Sequence, residues 1–118
     1  MIATEQNFYG INDELIQEIT GRIVREFHPH KIILFGSHAA GRPRQDSDLD
    51  LFIIMDSDLR RDYRAAEIYK LFRHRCFAMD VIVYTPEEVK MSLERRNPFI
   101  RDLLGEGKVL YERKQKLS

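Results

Sequence analysis

Asp48 and Asp50 stand one residue apart at the head of an apolar run, LDLFIIM. In an extended chain, residues i and i+2 project from the same face. Two carboxylates at the mouth of a buried strand then point the same way, a few ångströms apart. Like charges that close are costly unless a cation sits between them. Asp80 opens a later apolar run, MDVIVY, and joins the pair if the two strands are neighbours. Three aspartates offer hard oxygen ligands only, which suits Mg²⁺ or Mn²⁺. The four histidines are scattered, so no zinc set is visible.

A second chemical signal lies just upstream. Gly36-Ser37 closes the apolar run KIILF. Backbone amides in such a turn can meet a phosphate, because glycine lets the chain approach closely and a following helical turn adds a partial positive end. The Ser37 hydroxyl can donate once more. The stretch from Ile32 to Met55 therefore reads as a combined metal and phosphate site.

The elements that must position these residues follow from periodicity. Asn12 caps a helix over 12–27, with Leu15, Ile16, Ile19, Ile23, Val24 and Phe27 at helical spacing and Pro29 just beyond. Residues 31–35 form a buried strand, 38–40 one helical turn, 42–47 a polar loop and 49–55 a second buried strand. A basic helix is predicted over 59–75; its arginines read as a solvated face rather than a binding face. A strand over 79–84 leads to Thr85-Pro86-Glu87-Glu88, a helix start with a capping residue, an early proline and acids against the dipole. That helix runs to 95. A short one follows over 99–104, stopped by Gly105, and residues 107–111 form an edge strand. The lead-in 1–10 and the tail RKQKLS read as loose. Cys76 at a helix end reads as a packing residue. Tyr63, Tyr69 and Tyr84 read as partly buried.

The order α-β-β-α-β-α-α-β places the chain in the α/β (α+β) class. It predicts a mixed sheet of about four strands with helices mainly on one face. The first two strands could pair in either direction. At 118 residues the chain is one domain, its core spanning about 10–112.

Composition narrows the function classes. Lysine plus arginine equals aspartate plus glutamate at 19 each, so no global attraction to nucleic acid or anionic membrane is expected. A zero balance favours a homo- or hetero-oligomer. One cysteine excludes an intrachain disulfide and suits a cytoplasmic setting. No leader peptide or membrane span is expected.

These motifs, in order, resemble the nucleotidyltransferases of the DNA polymerase β-like superfamily, and more narrowly its minimal nucleotidyltransferase group. LFGSHAAG, SDLDLFII, MDVIVYTPEE and the closing EGKVLYE carry the likeness over about residues 10–112. The resemblance implies a nucleotidyltransferase palm. Asp48, Asp50 and Asp80 would be the catalytic metal ligands for two Mg²⁺ ions, with Mn²⁺ as a substitute. Gly36 and Ser37 would hold the β- and γ-phosphates of ATP. Many relatives carry arginines where this chain has His38 and Ala40; Arg42 and Arg44 are the candidate replacements.

Small stand-alone members resemble antitoxins paired with a helical HEPN-type ribonuclease toxin. The resemblance implies that such a member transfers AMP from ATP to a tyrosine of that toxin and silences it. Two other readings stand beside it. One is an antitoxin or regulatory subunit acting by binding alone. The other is a small-molecule (antibiotic) nucleotidyltransferase, for which the sequence offers no obvious acceptor pocket.

Overall fold

The computed structural model describes residues 11–41 and 48–114. The loose lead-in, the polar loop with Arg42 and Arg44, and the last four residues of the tail lie outside the described residues.

Helix α1 (Asp13–Phe27) opens where expected: Asn12 Oδ1 accepts the Leu15 amide at 2.8 Å, a cap worth about 1 kcal/mol. Its stripe of Leu15, Ile16, Ile19 and Ile23 is buried. The helix closes through His28 in the left-handed region, φ 50°, and Pro29 prevents its continuation. Then come β1 (Lys31–Phe35), β2 (Leu49–Ile54), α2 (Arg61–Leu71), β3 (Met79–Tyr84), α3 (Pro86–Glu94), α4 (Pro98–Glu106) and β4 (Lys108–Glu112).

One sheet, in the order β3-β2-β1-β4, carries the fold. β1 is antiparallel to β2 and β4, which resolves the pairing left open by the loop length, and β2 is parallel to β3. Alternation along the strands makes two cores. Leu49, Leu51 and Ile53 join Ile32, Leu34, Val81 and Val83 on the face covered by α1 and α2. Phe52, Ile54, Ile33 and Tyr84 face the other way, onto Ile100 and Leu103 of α4. The first core, under α1 and α2, is the larger; the second is small and lies under α4, with Val89 of α3 at its margin. Burying Phe52 completely contributes about 1.5–3 kcal/mol.

Helix α2 is shorter than its pattern. At its start, Leu59 is held as a turn, its amide on Ser57 Oγ at 3.0 Å and its carbonyl on Arg64 Nε at 2.7 Å. At its end, Phe72 swings into the core and Arg75 closes the turn with its amide and Nη1 on the Phe72 carbonyl. Helix α4 runs through Gly105, which has open space around it, and stops at Gly107. There a side chain would press on Ile33 and on the Leu103 carbonyl, so the helix end can sit directly on β1. β4 is an edge strand, as its composition predicted. The far edge, β3, is covered from α2: the Val81 amide donates to Tyr69 Oη at 2.9 Å, and Arg64 Nη1 donates to the Val83 carbonyl at 3.2 Å.

Most of the basic residues over 59–75 are exposed, as a solvated face requires, and several also make contacts within the molecule. Arg64 is buried and grips Glu88 with two hydrogen bonds, 2.6 and 3.2 Å. Arg61 lies 4.0 Å above the Tyr84 ring, and Lys70 pairs with Glu67. Tyr84 is buried and Tyr69 half-buried, but Tyr63 is exposed under Arg60. Cys76 is exposed too, not packed, because the helix ends before it. No helix among the described residues is long and apolar enough to cross a membrane.

Candidate active site

Parallel pairing of β2 with β3 sets Asp50 beside Asp80 in register. Both share the parity of Phe52 and Ile82, so both face the α4 side of the sheet. Asp48 immediately precedes β2 with the same parity. Asp48 and Asp80 are exposed; Asp50, one step deeper, is half-buried. Its carboxyl is pushed above the usual carboxylate range, first by burial, then by the charges of Asp80 and Asp48, with His38 opposing them. The three acids therefore act on one another across a single strand mouth.

The Gly36 turn lies over this mouth. β1 runs antiparallel to β2, and Phe35 is the partner of Asp50, so the residue after Phe35 must pass close to the Asp50 carboxylate. Gly36 adopts φ +78°, and a Cβ there would collide with Asp50 Oδ2. Both the backbone conformation and the space demand glycine. Ser37 follows half-buried. The next residues make hydrogen-bonded turns rather than a regular helix, with the Ala40 amide on the Gly36 carbonyl at 3.1 Å and the Gly41 amide on the His38 carbonyl at 3.3 Å.

Gly36, Ser37, Asp48, Asp50 and Asp80 thus gather at one end of the sheet, while Arg42 and Arg44 lie outside the described residues. Among the described residues, no three His, Cys, Asp or Glu side chains are drawn together as a finished metal cage. The acids share a face and feel one another's charge, but they are not closed around a point.

Beside the acids lies a feature the sequence did not announce. A groove of about 380 Å³ runs between the Gly36 turn and α4. Phe35, Ala39, Ala40, Phe99 and Leu103 line it, with Phe35 and Phe99 edge to face at 6.1 Å. Asp102 and Glu106 stand at its rim. The i, i+4 pair of acids next to apolar positions was visible in the sequence, but nothing there said that this face of α4 meets the turn.

Comparisons with known proteins agree with this architecture. A family model described as "Polymerase beta, Nucleotidyltransferase" matches residues 17–116. A Methanocaldococcus jannaschii protein named "Putative protein adenylyltransferase" is 37% identical over 81 residues, 69% of this chain and 77% of that protein. Among solved structures, a "putative nucleotidyltransferase" from Sulfolobus solfataricus superposes with TM-score 0.56 at 18% identity, covering 89% of this chain and 84% of the other. A toxin–antitoxin with AMP-PNP gives TM-score 0.58 at 20% identity, covering 84% and 75%. A mutant MntA-HpeT toxin–antitoxin gives 0.54 at 21% identity, covering 89% and 76%. At such identities the solved structures speak for the fold. The match across residues 17–116 and the archaeal relative speak for descent: this chain belongs to the polymerase β nucleotidyltransferase family.

Proposed function

We propose that the chain transfers AMP from ATP to a hydroxyl of a partner protein, a tyrosine of a HEPN-type ribonuclease toxin, and so acts as its antitoxin. The observation that carries this reading is the in-register pair Asp50 and Asp80, with Asp48 beside them and Gly36 packed on Asp50. The name of the archaeal relative supports protein adenylylation, and the toxin–antitoxin structures support the kind of partner.

The donor set fits a hard divalent cation: oxygens only, on side chains whose mutual repulsion raises the Asp50 carboxyl. Asp48 and Asp80 are exposed, so neither side chain is locked in place by packing. Asp48, Asp50 and Asp80 would hold Mg²⁺ or Mn²⁺, which would supply charge neutralisation at the phosphates and acidify the attacking hydroxyl. Gly36 and Ser37 hold the β- and γ-phosphates, and Arg42 and Arg44 take the part of the arginines that stand elsewhere at the positions of His38 and Ala40. Asp80 takes the hydroxyl proton. The hydroxyl oxygen bonds to the α-phosphorus, the bridge to the β-phosphate breaks, and pyrophosphate leaves with the electron pair. Positioning and charge stabilisation are the chain's contribution.

Incubation with α-labelled ATP, Mg²⁺ and the protein encoded beside this one tests the reading. Label should appear on a partner tyrosine and vanish with Asp48→Ala. Full neutralisation of the partner by that variant would instead leave an antitoxin that acts by binding alone. The arginines are tested separately: R42A/R44A should weaken ATP binding, and unchanged affinity removes them from the site.

A further inference from the structure

We infer that the groove between α4 and the Gly36 turn is the acceptor subsite, and that it takes an aromatic hydroxyl side chain carried on a positively charged segment of the acceptor protein. The inference rests on the adenylyltransferase reading for its chemistry, but on the groove's own residues for its ligand.

Position comes first. The groove and the acid mouth share Gly36, and the ring that floors the groove, Phe35, is the strand partner of Asp50. A side chain lying along Phe35 therefore ends at the carboxylates. The groove's volume, about 380 Å³, lies in the range of small-ligand pockets and accommodates an aromatic ring with its adjoining backbone.

The lining then selects the ligand. Phe99 is 46% exposed at the start of α4, a large apolar surface that a flat ring would cover, adding an aromatic contact to its edge-to-face pair with Phe35. Charge decides the rest. Among the described residues neither lysine nor arginine lines the groove; the charged residues there are Asp102 and Glu106, one turn apart on α4. Those two carboxylates make the rim negative even when a cation neutralises the neighbouring aspartates. A triphosphate would be repelled from this side and kept to the Ser37 side of the turn. Lysine or arginine flanking an accepting tyrosine would be drawn to it and held in register. In the transfer, the tyrosine oxygen takes the AMP phosphorus, its proton passes to Asp80, and pyrophosphate departs away from the groove.

Three synthetic peptides test this: a tyrosine flanked by lysines, the same tyrosine flanked by glutamates, and a lysine-flanked phenylalanine. AMP transfer is read by mass, and binding by fluorescence anisotropy in the presence of Mg²⁺ and AMP-PNP. The lysine-flanked tyrosine should be favoured over the glutamate-flanked one by about tenfold or more in kcat/KM, and the phenylalanine peptide should bind without reacting. D102N/E106Q should erase most of that preference with the KM for ATP unchanged. F99A should raise the peptide KM and leave the KM for ATP alone; both sites are exposed, so neither variant threatens the fold. Transfer that ignores the flanking charge overturns the groove and leaves the adenylyltransferase reading standing. A rise in the KM for ATP in F99A, with none for peptide, also overturns it, because the groove would then hold the nucleotide. Binding that depends on charge and on Phe99, with no transfer at all, keeps the groove and overturns the chemistry.

Discussion

Asp50 is set against its own ionisation. Burial and the neighbouring Asp80 and Asp48 raise its carboxyl above the ordinary range. A raised carboxyl gives its stability below the unfolded-state value and loses it as pH rises through the folded one, so at neutral pH the ionised form weakens the fold. Asp50→Asn keeps the shape and removes the charge. It should stabilise the protein by about 0.5–2 kcal/mol in thermal or urea unfolding, while AMP transfer falls by about a hundredfold or more. A neutral or destabilising outcome would mean that the charge is already offset in solution. The sequence disclosed the three acids and the Gly-Ser turn at this scale. It could not disclose that Gly36 must lie on the Asp50 carboxylate, since that contact depends on β1 and β2 running antiparallel.

Elements meet through side chains, and the tie between α2 and α3 is the clearest case. Thr85 caps α3 in a capping box with Glu88, and Glu88 also receives the buried Arg64 from α2. The Arg64 hydrogen bonds, foremost, hold the Glu88 carboxyl at about 2, below the usual 4.5. A lowered carboxyl stabilises above its unfolded value and loses that contribution as pH falls through its folded one. Glu88→Gln should therefore cost about 2 kcal/mol in urea unfolding at neutral pH. The gap from wild type should close as pH drops from about 4.5 towards about 2. A constant gap would place the loss in packing instead. Local chemistry made the start of α3 readable, because its capping box closes within Thr85-Pro86-Glu87-Glu88 itself. The ends of α2 were not readable: Leu59 and Phe72 leave the helix for Arg64 and the core, and periodicity carries no such information.

Over the whole molecule, positive and negative charge balance in number but not in place. The arginines of α2 are spent on Glu88, Tyr84 and the β3 edge, while three aspartates gather at the opposite end of the sheet. A cation that binds only the folded state must then raise its stability. Mg²⁺ at a hundred times its dissociation constant should add about 2.7 kcal/mol to the wild type. It should add almost nothing to D50A/D80A, as thermal unfolding with and without the metal would report. Equal shifts in both proteins would count against the acids as its ligands. The overall order of elements was legible because the apolar runs are short and sharply bounded. The β2–β3 neighbourhood, on which the site depends, came only with the sheet.

Tyr69 and Arg64 have a bearing on how this protein behaves when concentrated. A sheet's last strand can recruit another through its outward amides and carbonyls, and two of these on β3, the Val81 amide and the Val83 carbonyl, are taken by these two side chains. Tyr69→Phe changes one atom and frees the Val81 amide. That amide should then exchange with deuterium faster than its neighbours. Chains carrying the change should also associate more readily at high concentration than the unaltered chain, as light scattering would report. A single phenolic oxygen on α2 thus closes part of an edge that a second strand could otherwise join.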